Sequence, residues 1–262
     1  MESLLIYVLT GAAAGLLAGL FGIGGGMVMV PALAFVLPGQ GVPPEANMQV
    51  AVATSLAVIS ATSVSSMLSH QKHGAVLWPV FRWMALGLVA GSVAGAFVAD
   101  QLASRTLALI VGCGALAVAA QMFFDLKPKA AAPLPGPVGL AGTGGIIGLL
   151  SALVGIGGGS LTVPFLTWRS VDIRKAVGTS AACGLPIAWA GAVGFILSGW
   201  DRTDLPAPHL GYVSLHGFLG LAVASVLMAP LGARLAHRLP PRQLKRGFAL
   251  LLTGVGLKML IG

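Results

Sequence analysis

The feature that most restricts the fold of this chain is a 19-residue segment that occurs twice. GLLAGLFGIGGGMVMVPAL at 15–33 and GLLSALVGIGGGSLTVPFL at 148–166 are identical at 12 of 19 positions. AVATS at 51–55 and AVGTS at 176–180 follow the two copies in the same order. Repetition on this scale indicates a structural unit that has been duplicated. The chain is therefore predicted to contain two copies of one unit.

A change of composition separates the two copies. The stretch DLKPKAAAPLPGP at 125–137 is charged and then rich in Pro and Ala, which is typical of an extramembrane linker. We therefore predict an N-terminal repeat at 1–124, a cytoplasmic linker at 125–137 and a C-terminal repeat at 138–262.

Apolar segments run almost end to end through both halves. Only 8% of the residues are charged, against about 25% in an ordinary soluble domain. A helix needs about 20 apolar residues to cross a hydrocarbon core of about 30 Å. The predicted fold class is therefore an all-α polytopic membrane protein, whose second segment in each half is too short to cross. The predicted segments are 4–21, 27–37, 49–68, 79–99 and 105–124, then 138–154, 160–168, 176–198, 211–234 and 244–261.

The distribution of Lys and Arg predicts the orientation of these segments. With the N-terminus outside and ten segments in alternation, 12 of the 15 basic residues fall on or near the cytoplasmic side. Five segments per half is an odd number, so the second half starts on the opposite side from the first. We predict inverted-topology repeats in the cell inner membrane, with both termini outside. The charge count does not distinguish a full crossing from a hairpin that turns back in mid-membrane.

The glycine motif predicts a broken helical hairpin in each half. Three consecutive glycines interrupt a helix, because each costs about 1 kcal/mol there and permits positive backbone torsions. A proline five residues later suits the first turn of a new helix. Each half is therefore expected to hold one re-entrant hairpin and three membrane helices, with helix breaks at Gly22, Pro31, Gly155 and Pro164.

The broken hairpins predict a binding site for an anion. Backbone polar groups in a bilayer must face protein or a water-filled cavity, and the free N–H groups at a helix start attract negative charge. Hydroxyl groups nearby would add donors, although such glycines and hydroxyls also serve helix packing. The candidate substrate-binding residues are Gly24, Gly25, Gly26, Thr54, Ser55, Gly157, Gly158, Gly159, Ser160, Thr179 and Ser180. By contrast, Gly87, Gly91 and Gly95 repeat every fourth residue of one segment and predict close helix packing.

Other functional classes find little support in the sequence. The dispersed basic residues lack the aromatic-basic surface of a nucleic-acid-binding protein, and no spacing suits a metal or a cofactor. The apolar segments contain no carboxylate pair and no nucleophile with a base, so we do not expect an enzyme. His216, six residues into its segment, is expected either at the interface or in a proton relay. The expected partners are the lipid bilayer and a small anion, and a homo-oligomer is compatible with the sequence.

The sequence resembles the sulfite exporter TauE/SafE family of anion permeases. The resemblance rests on GIGGGMVMVP and GIGGGSLTVP, on AVATS and AVGTS, and on HQKHGAV at 70–76. It implies carriage of sulfite, thiosulfate, an organosulfonate or a related anion. Our first hypothesis is a secondary carrier that works by alternating access; a channel or a non-transporting scaffold are the alternatives.

Overall fold

The computed structural model describes residues 2–21, 25–124, 132–236 and 241–261. The predicted site positions Gly22 and Gly24 and most of the linker, 125–131, lie outside these residues. The helices are α1 Glu2–Phe21, α2 Gly26–Val36, α3 Asn47–Lys72, α4 Trp78–Gln101, α5 Ser104–Phe123, α6 Pro137–Val154, α7 Gly159–Trp168, α8 Ile173–Ser198, α9 Leu215–Ala236 and α10 Pro241–Ile261; a short 3-10 helix spans Leu37–Gln40, and β1 His209–Leu210 pairs antiparallel with β2 Val213–Ser214.

These helices confirm the predicted fold class of an all-α polytopic membrane protein. Within the described chain, α3, α4, α5, α6 and α8 are long and apolar enough to cross a bilayer. The short segments are also found where the sequence predicts them. With 11 and 10 residues, α2 and α7 span about 16 and 15 Å, which is about half a hydrocarbon core.

Glycines in the left-handed conformation set the helix boundaries at both breaks. Gly155, with φ 70°, ends α6, and both its own N–H and that of Ile156 donate to the carbonyl of Ser151. Gly25, with φ 74°, precedes α2. A residue with a side chain adopts this conformation only at a cost. In the structure, α6 thus ends at Gly155, one of the positions where the sequence predicts a helix break.

The expectation that Pro31 and Pro164 lie in the first turn of α2 and α7 is wrong. Each proline is the sixth residue of its helix, which begins at Gly26 or Gly159. The first turn forms earlier because the carbonyls of Gly25 and Gly158 already accept helical N–H bonds, from Met29 at 3.1 Å and from Thr162 at 2.9 Å. Each proline instead removes one hydrogen bond from the second turn.

Helix pairs related by the repeat pack through equivalent contacts. A Cβ at Gly11 of α1 would meet Leu221 of α9, and one at the equivalent Gly144 of α6 would meet Met84 of α4. Further along, Gly15 packs on Ser225 and Gly148 on Leu88. Residue numbers rise together along both pairs, so α1 runs parallel to α9 and α6 runs parallel to α4.

Equivalent helices of the two halves run in opposite directions. In α3 and α8, a Cβ at Gly191 would meet Leu56, and one at Gly184 would lie 3.9 Å from the Cβ of Ser63. In α5 and α10, Arg105 donates to the carbonyl of Leu260 near one end, and Gly112 lies against Gly256 further along. Both pairs are therefore antiparallel.

Candidate functional site

The two glycine breaks touch each other inside the bundle. A Cβ added to Gly26, at the start of α2, would overlap the carbonyl oxygen of Gly155 and lie 3.1 Å from the Cα of Ile156. Gly155 in turn lies against Val30 and Val52. Only glycine fits this contact, because main chain meets main chain with no room for a side chain. The structure thus brings the described part of the first break directly against the second.

The second break also lies between α3 and α8. A Cβ at Gly158 would lie 3.1 Å from the amide nitrogen of Gly184 and 3.2 Å from the carbonyl oxygen of Ser180. Gly157 faces Ile59 of α3, whose Cγ2 would be 3.4 Å from an added Cβ. The break is therefore enclosed by protein, as an irregular backbone inside a membrane must be.

The two predicted threonines have matching structural roles. Thr54 Oγ1 accepts the backbone N–H of Ser214 at 3.1 Å, just before α9, and Thr179 Oγ1 accepts that of Leu77 at 2.9 Å, just before α4. Both side chains are fully buried. Each hydroxyl thus fixes a connection far away in sequence, while it keeps its own proton for donation to another group.

The predicted serines Ser55 and Ser180 differ in their hydrogen bonding. Ser55 Oγ donates to the carbonyl of Gly155 at 3.1 Å, so it secures the second break to α3. Ser180 Oγ is buried and has no hydrogen-bond partner in the described chain. The two positions are equivalent in the repeat, and only the one in α8 is left with a free donor.

Four buried hydroxyls without a hydrogen-bond partner belong to residues within or beside the second break. Leaving a buried hydroxyl unpaired costs about 1–3 kcal/mol, so such a group in a native protein needs an explanation. Ser151 lies in the last turn of α6, Ser160 and Thr162 lie in the first turn of α7, and Ser180 packs by its carbonyl against Gly158. Within the described residues, the hydroxyls in this state are those of Ser151, Ser160, Thr162, Ser180 and the more distant Ser198.

The sequence prediction missed Ser151 and Thr162, although the repeat itself marks them. Aligned with the first copy, Ser151, Ser160 and Thr162 replace Ala18, Met27 and Met29. Three of the seven differences between the copies therefore exchange an apolar side chain for a hydroxyl. A position-by-position comparison of the copies shows that the hydroxyl donors collect at the second break.

The chemistry of this site is that of uncharged donors. Among the described residues placed against the two breaks, none carries a charge. No three His, Cys, Asp or Glu side chains of the described chain are placed to hold a metal ion. The α7 N-terminus adds free N–H groups and the positive end of a helix dipole. Such an arrangement suits a small anion, whose oxygen atoms accept hydrogen bonds.

Comparison with known proteins identifies the family. The family model described as Sulfite exporter TauE/SafE matches residues 7–259. A probable membrane transporter protein of Haemophilus influenzae is 38% identical over 264 residues, which cover 98% of each chain. A probable membrane transporter protein of Methanocaldococcus jannaschii is 28% identical over 98% of this chain and 95% of its own length. No solved structure gives a significant match.

Proposed function

The chain belongs to the sulfite exporter TauE/SafE family, and we propose that this membrane transporter carries a small, sulfur-containing anion by alternating access. The observation that carries the proposal is the set of unpartnered hydroxyls at the second glycine break, beside the N-terminus of α7. Sulfite, thiosulfate and small organosulfonates present oxygen acceptors to such donors. The relatives are named as membrane transporters, not as enzymes.

Donors without a formal charge suit a carrier, which must release its substrate. A hydrogen bond to a charged group contributes about 1.5–3 kcal/mol, so a few of them hold an anion without trapping it. The two breaks are not equal in this respect. Met27 and Met29 are buried at the first break, where the second break has Ser160 and Thr162. The proposed site therefore draws its side-chain donors from the C-terminal half, and the first break closes it from the other side.

Alternating access is supported by the directions of the helices. Two repeats of opposite topology are related by an axis in the membrane plane, so equivalent helices that pack together across this axis run antiparallel. The pairs α3–α8 and α5–α10 have this arrangement. We propose that 1–124 and 138–262 are these repeats, that α2 and α7 begin near the midplane, and that both termini face the outside of the cell inner membrane. Rocking of one hairpin against its surroundings would then open the site to each side in turn.

The test is flux of radiolabelled sulfite, thiosulfate and ethanesulfonate into liposomes that contain the purified protein. We expect uptake that saturates with substrate concentration and that the unlabelled anions inhibit. Flux that stays proportional to concentration would identify a channel instead. Liposomes that carry the folded protein and show no flux above empty liposomes for any of these anions would contradict the proposal and favour a scaffold.

Removal of the free hydroxyls is expected to weaken anion binding at the proposed site. Ser160→Ala and Ser180→Ala should each raise the KM for the transported anion roughly tenfold, because each removes one hydrogen bond of about 1.5 kcal/mol to a charged group. The matched control is Thr253→Ala in α10, whose hydroxyl bonds to the carbonyl of Ala249 in its own helix. Unchanged KM values in both serine variants would exclude these hydroxyls from the site.

A further inference from the structure

A cavity of about 520 Å³ opens on the face of the bundle that holds the start of α1 and the end of α4, here called the N-terminal face. Its walls come from α1, from the 3-10 helix, from the start of α3, from the connection 199–214 between α8 and α9, and from the first turn of α9. The residues that matter for its chemistry are Tyr7, Gln40, Val50, His209, Ser214 and His216.

The cavity wall offers hydrogen-bond donors and no carboxylate. Gln40 Oε1 accepts from the Tyr7 hydroxyl, and its Nε2 atom is buried without a partner. His209 Nδ1 donates to the carbonyl of Gly211 at 3.1 Å, so the proton lies on that nitrogen and Nε2 is a hydrogen-bond acceptor. None of the described residues that line the cavity is acidic. A buried amide donor without a partner, in a wall that has no carboxylate, suits an oxyanion better than a cation.

The roof of the cavity is a connection that is much longer than its counterpart in the other half. Five residues, 73–77, join α3 to α4, whereas 199–214 contain a short β-hairpin. Tyr212 secures this hairpin, because its hydroxyl donates to Asp100 Oδ1 at 2.6 Å. Burial, and then the bond and the charge of Asp100, raise the pKa of Tyr212 to about 12. The phenol therefore stays protonated and keeps the Asp100 carboxylate engaged outside the cavity.

The cavity floor lies close to the glycine breaks. Ser214 lines the cavity, and its backbone N–H donates to Thr54 of α3. Val50 lies on the floor, and Ser55, which bonds to the carbonyl of Gly155, follows about 7.5 Å further along the helix axis. Less than two helical turns therefore separate the cavity from the second break.

From this juxtaposition we infer that the cavity is a second anion-binding site, a vestibule that holds an oxyanion of the sulfonate type before it reaches the glycine breaks. The inference rests on the proposed function, since it gives the transported anion its first binding position on the N-terminal face. The donors are Gln40 Nε2 and His216, and the connection that carries Tyr212 forms the roof of the vestibule.

Cysteine labelling tests the vestibule separately from transport. In a chain with Cys113 and Cys183 replaced by serine and alanine, Ser214→Cys, or Val50→Cys as a second reporter, is treated with two thiol reagents of similar size. One is an ethylsulfonate methanethiosulfonate and the other its trimethylammonium counterpart. We expect the ratio of anionic to cationic labelling rates to be roughly tenfold higher than at the exposed control Thr203→Cys, which corresponds to one charge-assisted hydrogen bond.

Protection by ethanesulfonate, and its loss on removal of Gln40, complete the test. Ethanesulfonate should slow labelling of both reporters at least threefold, and Gln40→Ala should abolish this protection. The same protection is expected in Gly158→Leu, where flux is blocked. Equal ratios at reporters and control, or protection that disappears in Gly158→Leu, would overturn the vestibule. Intact protection in a protein that transports none of the anions would instead overturn the proposed function alone.

Discussion

Replacing Gly26 with leucine is expected to abolish anion flux while the chain remains inserted in the membrane. An added Cβ there overlaps the carbonyl oxygen of Gly155 and comes within 2.9 Å of Ile59 Cδ1, so the two breaks have to move apart. A shift at this contact displaces Gly155 from Ser55, its hydrogen-bond partner on α3. The measurement is initial uptake into liposomes, expected to fall at least a hundredfold, alongside size-exclusion chromatography of the purified variant.

The corresponding change in the other half is Gly158→Leu. Its added Cβ would lie 3.1 Å from the amide of Gly184 and 3.2 Å from Ile187 Cδ1, and the longer side chain would fill the space beside Ser180. The milder Gly158→Ala keeps the right-handed backbone conformation found there and should reduce flux by a smaller factor. A smaller loss of flux in Gly158→Ala than in Gly158→Leu distinguishes a blocked site from a chain that does not fold.

Gly142→Leu is the matched control for both changes. Gly142 lies in α6, it is exposed, and an added Cβ meets nothing within 4 Å. Like the two test variants, Gly142→Leu loses a glycine and gains an apolar side chain. We expect its flux to be close to that of the unchanged protein. Wild-type flux in both Gly26→Leu and Gly158→Leu would remove the glycine breaks from the mechanism.

The helices and their interruptions were predictable because the signals are local. An apolar run ends where glycine, proline or charge follows, and the observed helix bounds fall within a few residues of the predicted segments. The break at Gly155 follows from the conformational freedom of glycine alone. The same local reasoning failed at Pro31 and Pro164, because the position of a helix start depends on which carbonyl accepts the first N–H, and a glycine carbonyl did so earlier.

The hydrogen bonds of the candidate site could not be predicted, because their partners lie far apart in sequence. Thr54 bonds to Ser214, Thr179 to Leu77, and Ser55 to Gly155. Nothing in the residues around each hydroxyl indicates whether it is already bonded or free. The structure separates the predicted hydroxyls into those that bond to a distant part of the chain and those that have no partner among the described residues, and only Ser160 and Ser180 belong to the second group.

The cavity that we propose as a vestibule could not be predicted, because it is formed where the second half departs from the repeat. Residues 199–214 are longer than the equivalent connection, and sequence reasoning treats a long connection only as a surface loop. The hydrogen bond from Tyr212 of this connection to Asp100, and the contact of the connection with α1 and α3, arise from the packing of elements that lie far apart in sequence. His216, expected either at the interface or in a proton relay, lies in the wall of this cavity.

The largest loss of stability is expected from Gly87→Val at the interface of α4 and α6. An added Cβ overlaps the carbonyl oxygen of Ala141 and lies 2.6 Å from the amide nitrogen of Gly145. Gly91 and Gly95 continue this contact along the helix, as predicted from their spacing of four. Both partners are main chain, so no side chain can turn away, and the helices have to separate.

Overpacking of a core costs about 1–3 kcal/mol, and more where the backbone must shift. We therefore expect Gly87→Val to lose at least about 3 kcal/mol, which lowers the unfolding temperature by roughly 6–12 °C in a chain of this size. Thermal unfolding of the detergent-solubilised protein measures the effect. Gly142→Val in α6, one residue from Ala141 but facing away from the interface, should unfold close to the parent temperature.

The repeat supplies a stricter comparison at the two parallel interfaces. Gly148 packs its backbone on Leu88 of α4, and the equivalent Gly15 packs on Ser225 of α9. Because main chain meets main chain at both, Gly148→Val and Gly15→Val should destabilise the protein by similar amounts. If one variant unfolded at the parent temperature while the other was strongly destabilised, the two halves would not be equivalent in packing.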